Sequence, residues 1–197
     1  ADNLRAREYT DGTAVDAANI RFSEPEEGAD AYHKEWCRLR GAYYSWNAAV
    51  RNTQAAAAGE KVQGIAPAGW HIATREEWVF LINNQPDNNN PAASMRSKQY
   101  WDAAMAPECN NSFGFNVVST GYIWTITAGH DIIEGEKWAS FWTSTEPKEG
   151  DEIPWNPSPA DFPNQACVYS FSPSDNGIAY YVYAKDRGYN VRCVLDD

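Results

Sequence analysis

The chain has 197 residues, 43% hydrophobic and 22% charged, a composition typical of one folded domain and not of a disordered segment. Its 27 acidic residues against 16 Lys and Arg give a formal net charge of -11, which argues against a nucleic-acid partner because a phosphate backbone would be repelled. No run of about 18 apolar residues occurs, so the sequence predicts no membrane-spanning helix. Aromatic residues make up 14% of the chain, and we expect some of these rings to be exposed for recognition.

The first third of the chain carries weak structural signals. Residues 1–35 are polar and acidic, and the EPEEG stretch at 24–28 predicts a solvated loop. The aromatic run at 43–46 favours a strand. The alanine-rich stretch at 55–58 fits a short helix or a surface loop equally well.

Two helices are predicted in the next part of the chain. Thr74 and Glu77 form a capping-box pattern ahead of an apolar run, which predicts a helix over 74–84. The Asn-Pro pair that opens 90–97 provides a cap and a first-turn proline for a second, shorter helix over that range.

Strand signals dominate after residue 101. Alternating or short apolar runs predict strands at 115–117, 122–124, 141–144, 167–171, 178–183 and 189–195. A Pro-Ser-Asp-Asn-Gly turn separates the fourth run from the fifth, which indicates a β-hairpin. In that hairpin Tyr181 and Tyr183 share one face and Tyr180 takes the other. Helices early and antiparallel strands late predict a single α+β domain over residues 1–197.

The segment 146–164 breaks this pattern with five prolines. Prolines prevent regular strand pairing, and a loop of this length in a compact domain is commonly functional. Trp155 and Phe162 on this loop are candidate binding residues, because an exposed aromatic ring stacks on a sugar or on a protein partner. Packing of Trp155 against the sheet fits the sequence equally well. Trp138 and Tyr181, on adjacent strands, are further candidates for the same surface.

Three residues around the capped helix are predicted to be structural. We expect Trp70 and Trp78 to pack in the core and His71 to be a buried, hydrogen-bonded histidine.

The four cysteines predict disulfides. Cys37, Cys109, Cys167 and Cys193 lack the close spacing of a zinc site, and the three histidines are far apart in sequence. We predict two disulfides in an exported protein, with three possible connectivities, and keep free thiols as the alternative. The chain opens without an apolar signal region, so the leader of an exported protein would be absent from it.

Six blocks in chain order resemble one protein family. They are NLRAREYTDGT at 3–13, CRLRGAYYSW at 37–46, GIAPAGWHIATREEW at 64–78, FGF and GY within 113–122, FWTSTE at 141–146 and GYNVRCV at 188–194. On these blocks, which cover nearly the whole chain, it resembles the Fibrobacter succinogenes major paralogous domain of secreted and surface proteins in Bacteroidetes-type bacteria. Ala66 stands where that family has a cysteine.

The resemblance implies a fold and a location. It implies the C-type-lectin-like and formylglycine-generating-enzyme-like architecture, a compact α+β domain with its terminal strands paired. It also implies a secreted or cell-surface protein.

A comparison with true C-type lectins bears on cofactors. The EPK sequence at 146–148 resembles their Glu-Pro-Asn calcium and sugar motif, and Trp155 with Asn156 resembles their Trp-Asn-Asp. Calcium takes about six to eight oxygen ligands, and Glu146 and Asn156 would be among them. Lys148 replaces the amide ligand, however, and Pro157 replaces the aspartate. We therefore expect no cofactor and favour an acidic solvated loop over a calcium site.

The motif search argues against an enzyme. The sequence has no G-x-S-x-G, H-E-x-x-H, Walker or dinucleotide-binding pattern. We expect a non-catalytic exported domain that binds a glycan or a cell-surface protein. A carbohydrate-active enzyme with an unrecognised carboxylate pair, or a structural module of a larger surface assembly, remains as an alternative.

Overall fold

The computed structural model describes residues 2–51, 60–85, 90–102, 109–154, 158–172 and 178–197. The helices of these ranges are α1 (Ala31–Arg40), α2 (Trp46–Val50), α3 (Arg75–Asn83) and α4 (Pro91–Met95), with 3-10 helices at Ala17–Asn19 and Pro159–Asn164. The strands are β1 (Ile20–Phe22), β2 (Ala42–Tyr44), β3 (Trp70–Ile72), β4 (Tyr122–Ile123), β5 (Ile132–Ile133), β6 (Ala139–Trp142), β7 (Gln165–Phe171), β8 (Ile178–Ala184), β9 (Asn190–Val191) and β10 (Cys193–Leu195). None of the helices in these ranges is long and apolar enough to cross a bilayer.

A four-stranded sheet lies at the centre of the domain. Its strand order is β8-β7-β6-β9, with β6, β7 and β8 antiparallel and β9 parallel to β6. Two-stranded antiparallel pairs surround it: β1 with β2, β3 with β10, and β4 with β5. The mixed, mainly antiparallel architecture confirms the α+β prediction.

The central sheet separates two hydrophobic cores because successive side chains on a strand point to opposite faces. On one face Trp142 and Val168 belong to the larger core. On the other face Phe141 and Tyr169 flank Trp78 of α3, and the indole centroid lies 5.5 Å from each of their rings. Trp78 is almost fully buried, which confirms its predicted core position.

The capping box of α3 forms as predicted. Thr74 is the N-cap, and its hydroxyl accepts a hydrogen bond from the Glu77 N–H at 3.1 Å. The Glu77 carboxylate accepts one from the Thr74 N–H at 2.8 Å. These reciprocal bonds satisfy backbone donors that a helix start leaves unpaired, so the local sequence determines where α3 begins.

The second predicted helix is also confirmed, but it ends earlier than expected. Asn90 caps α4 through a hydrogen bond from the Ala93 N–H. The helix stops at Met95 because Arg96 is extended and forms a β-bridge with Val117. At 115–117, where a strand was predicted, the structure shows this bridge at Val117 instead of a strand.

The predicted hairpin of β7 and β8 is confirmed. The two strands pair from Gln165 opposite Ala184 to Phe171 opposite Ile178, while the turn lies outside the described residues. Tyr181 stacks on Tyr183 on one face, with ring centroids 5.5 Å apart. Tyr180 packs against Tyr169 on the other face, as the alternation predicts.

Helix α1 and the C-terminal strand differ from the sequence analysis. No helix was predicted over Ala31–Arg40; Trp36 is the one buried residue of α1, so the helix lacks the apolar stripe that would identify it. The strand predicted over 189–195 is broken at Arg192, where the chain leaves β6 and pairs with β3. At this break the buried Arg192 Nε donates to the Asn3 Oδ1 at 2.6 Å. The alanine-rich segment 55–58 lies outside the described residues.

The prediction of two disulfides is wrong for this structure. All four cysteines lie within the described ranges, and none is bonded to another. Cys37 is on α1 and Cys193 on β10, whereas Cys167 is buried on the Trp78 side of β7 with its sulfur 3.0 Å from the Tyr180 hydroxyl oxygen. The remaining cysteine is Cys109.

Candidate functional site

A hollow of about 460 Å³ lies over one face of the central sheet. Its floor contains Ser140 of β6 and Ser170 of β7, which are directly opposite each other, and Ala179 of β8 lies next in the same register. The two serine hydroxyls hydrogen-bond at 2.8 Å. Because the side chains at these three positions are small, the face retains space there. We call this hollow the aromatic cleft.

The walls of the cleft are aromatic. The lining residues are Tyr122, Trp124, Glu134, Trp138, Ser140, Ser170, Tyr183, Arg187 and Tyr189. Four tyrosines form a continuous row, because Tyr122 contacts Tyr189, Tyr189 contacts Tyr183, and Tyr183 stacks on Tyr181. The Trp124 side chain completes the wall and is 50% exposed, so its ring is available to a ligand.

Backbone contacts hold the far wall in place. The Trp138 carbonyl accepts hydrogen bonds from Thr120 N–H at 2.8 Å and from Gly121 N–H at 2.7 Å. Gly121 has a φ of +68°, and an added Cβ would lie 2.1 Å from the Ile133 carbonyl oxygen. Glycine is required there, since any side chain would push β5 away from β4.

The charged residues of the cleft are Glu134 and Arg187. The Arg187 guanidinium lies over the Trp124 ring at 4.0 Å and over the Tyr183 ring at 4.2 Å. Its Nη1 donates to the Tyr189 hydroxyl at 3.2 Å. Glu134 pairs with Lys137 at 3.6 Å. The cleft thus combines ring faces with a positively charged group at one side.

The buried phenols of the cleft remain protonated at neutral pH. Burial raises the pKa of Tyr189 and of Tyr183, and the nearby Arg187 charge opposes this only in part. Both hydroxyls therefore act as neutral hydrogen-bonding groups, and with the serines of the floor they match the hydroxyl groups of a sugar.

The predicted site residues divide into three groups. Trp138 lines the cleft and Tyr181 stacks against its wall. Glu146 and Phe162 lie apart from it, on the proline-rich segment: the Glu146 carboxylate pairs with Lys185, and Phe162 sits half-buried in the 3-10 helix. Trp155 and Asn156 lie outside the described residues.

Lys185 ties down the proline-rich segment at both ends. Its Nζ bonds the Glu146 carboxylate and donates to the Pro163 carbonyl at 2.8 Å, while its backbone N–H donates to Asn164. The ammonium group also lies 4.5 Å from the centre of the Trp46 ring. Both ends of the segment are therefore fixed to the residue that follows β8.

Two carboxylates of the proline-rich segment have protein partners. Glu146 pairs with Lys185, and Asp151 pairs with Arg75 at 3.0 Å. Within the described ranges, no three His, Cys, Asp or Glu side chains form a group suited to a metal ion.

Two residues beside α3 have contrasting positions. His71 is 1% exposed, with Nδ1 2.6 Å from Asp196 and Nε2 2.7 Å from Glu77, so it is a structural residue as predicted. Trp70 was predicted to be a core residue, and this is wrong: its side chain is 38% exposed and lies opposite the exposed Leu195 in the β3–β10 pair.

Sequence reasoning missed most of the cleft. Arg187 and the serines of the floor received no role, although serines within the aromatic strands ASFW and QACVYSF are a usable signal. A small polar residue between large rings on a sheet leaves space that a ligand can fill.

Comparison with known proteins gives a family but no individual relative. No curated protein and no solved structure matches the chain. The model of the Fibrobacter succinogenes major domain matches residues 1–195, almost the full length. The chain therefore belongs to the Fibrobacter succinogenes major domain family.

Proposed function

We propose that this chain is a non-catalytic recognition domain, secreted or held at the cell surface, that binds a glycan in the aromatic cleft. The observation that carries the proposal is the row of tyrosine rings beside a hollow floored by two serines. Sugars present apolar C–H faces that stack on aromatic rings, and hydroxyl edges that bond to neutral polar groups. The same proposal includes a C-type-lectin-like architecture, although the N-terminal strand β1 pairs with β2 and the C-terminal strand β10 pairs with the interior strand β3.

An enzymatic role is the weaker alternative. Glycoside hydrolysis uses two carboxyl groups about 5–9.5 Å apart. Among the described lining residues of the cleft, Glu134 is the one carboxylate, and it is paired with Lys137. Turnover of chromogenic glycosides that is lost in E134Q would favour the enzyme over the binding domain.

The proposal is tested by glycan-array binding with matched tryptophan variants. Trp124→Ala removes an exposed ring from the cleft, and Trp70→Ala removes an exposed ring elsewhere on the surface. Truncating a central aromatic contact costs about 2 kcal/mol, or about thirtyfold in Kd. We expect W124A to lose array binding at this scale and W70A to bind as wild type does.

The two other outcomes are equally informative. Equal binding by W124A, W138A and wild type would place the ligand elsewhere and refute the cleft as the site. Absence of binding to any glycan would favour the structural-module alternative.

A further inference from the structure

We infer that the glycan bound by the aromatic cleft is acidic, and that Arg187 binds a carboxylate on its sugar ring. The inference rests on the proposed function and specifies its substrate class. The feature behind it is a half-buried guanidinium at the cleft wall whose hydrogen-bonding groups are mostly unused by the protein.

Several arginines of this chain have a carboxylate partner, and Arg187 has none among the described residues. Arg38 pairs with Glu35 at 2.8 Å and Arg75 with Asp151 at 3.0 Å. Within the described residues, Arg187 forms no such ion pair, although acidic residues outnumber basic ones by 27 to 16. Arg21 and Arg40 also form no ion pair with the described residues, so what distinguishes Arg187 is its position in the wall of the aromatic cleft, where a carboxylate of a bound ligand would reach it.

The packing of Arg187 presents it for recognition. Its guanidinium is held over two rings, those of Trp124 and Tyr183. Such stacking occupies the faces of the planar group and leaves its in-plane N–H donors for other partners. One nitrogen, Nη1, donates to the Tyr189 hydroxyl. A guanidinium has five donors, so enough remain for a two-pronged bond to a carboxylate.

The charges around the cleft also favour an anion. Glu134 is the one acidic residue among the described lining groups, and Lys137 offsets it at 3.6 Å. Asp186, the chain neighbour of Arg187, lines a separate hollow together with Lys185. The positive charge of Arg187 is therefore not cancelled within the cleft, despite the net charge of -11 on the whole chain.

A sugar fits this arrangement better than an acidic peptide. Tyr122, Tyr181 and Tyr183 are partly exposed and flank the buried Tyr189, and the serine hydroxyls lie at the floor beside them. Flat C–H faces with hydroxyl edges are properties of pyranose rings, and peptide side chains do not repeat them. A uronate and a sialate both add the required carboxylate.

The test is a glycan array that carries neutral galactosides, oligogalacturonates and sialylated oligosaccharides, followed by titration calorimetry. The strongest acidic ligand is compared with its methyl ester, which keeps the sugar and removes the charge. We expect the acid to bind about tenfold tighter or more than the ester, with an affinity that falls as salt rises. The uronate and sialate arms show which source of the carboxylate is recognised.

Matched arginine variants assign the effect to one residue. Arg187→Gln should remove the preference for the acid, so that the ratio of the acid's affinity to the ester's affinity falls from about tenfold or more to about one. Arg7→Gln is the control, because Arg7 also lies over an aromatic ring, Phe22 at 3.8 Å, but outside the cleft. Near-ultraviolet circular dichroism of both variants verifies that the fold is retained.

The failures are distinguishable. The inference is overturned if all the glycans that bind on the array are neutral, or if the ester binds as well as its acid. In both cases the proposed function still stands. Absence of any glycan ligand overturns both. Arg187-dependent binding of hexaglutamate without binding of acidic sugars would replace the glycan with an acidic peptide.

Discussion

Replacing Glu77 with alanine removes a carboxylate that joins α3 to the β3–β10 pair. Its Oε2 accepts from the Thr74 N–H at 2.8 Å, and its Oε1 lies 2.7 Å from the Nε2 of the buried His71. Losing a capping interaction costs about 1 kcal/mol, and leaving a buried polar atom unpaired costs about 1–3 kcal/mol. We expect the free energy of unfolding to fall by about 2–4 kcal/mol, which lowers Tm by about 5–15 °C in a domain of this size.

Thermal unfolding followed by circular dichroism measures this effect. The matched control is Glu76→Ala, in the same helical turn, because Glu76 is exposed and forms no hydrogen bond or ion pair with the described residues. An exposed substitution of this kind changes stability by about 0.5 kcal/mol or less. If the free energy of unfolding of E77A lies within about 0.5 kcal/mol of that of E76A, the stabilising role assigned to Glu77 is refuted.

The same carboxylate predicts a pH dependence. Burial favours the neutral form of Glu77, but hydrogen bonds from the Thr74 N–H and His71 outweigh it, so its pKa lies below the usual 4.5. A folded-state pKa below the unfolded value means that the stabilisation is present above about pH 4.5 and is lost as pH falls through the folded pKa. As pH is lowered through this range, the urea midpoint of unfolding should therefore fall more steeply for wild type than for E77Q, which has no titrating group at this position. Parallel curves would contradict the assignment.

Three further substitutions or reactions test other parts of the structure. Ser170→Leu fills the floor of the cleft, and we expect calorimetry to show about a tenfold or greater loss of glycan affinity while the circular dichroism spectrum is unchanged. Gly121→Ala should lower the urea midpoint of unfolding by more than Gly12→Ala does. Both glycines have positive φ, but only at Gly121 would an added Cβ press against the Ile133 carbonyl. Equal midpoints for the two variants would refute the steric argument. Burial raises the pKa of Cys167 to about 12, so we expect iodoacetamide at neutral pH to label it only after unfolding, as followed by mass spectrometry.

The parts of the fold that the sequence predicted well depend on local interactions. The start of α3 follows from Thr74 and Glu77, which are three residues apart, and the β7–β8 hairpin follows from two apolar runs around one turn cluster. Helix α1 was missed because it buries one side chain and has no apolar periodicity. The break at Arg192 was missed because it accompanies a change of strand partner from β6 to β3 and a bond to Asn3, all of which lie far away in sequence.

The cleft shows the same division between local and distant interactions. Tyr181 and Trp138 were singled out from their strands, but Tyr122 and Arg187 become neighbours only when β4 packs beside the end of β8. Trp70 was expected in the core because large rings usually are, yet the β3–β10 pair leaves its ring at the surface. A single sequence contains no signal for such distant pairings.

Lys185 keeps the two ends of the proline-rich segment together, which would allow the sequence between them to vary. With Glu146 near one end and Pro163 near the other both bonded to the same side chain, the two anchor points stay together whatever residues lie between them. Closing a longer loop costs little, about 0.6 kcal/mol for each doubling of its length. New sequences inserted between these anchors would leave the sheet intact, so this segment is a natural position at which to graft foreign peptides onto the domain.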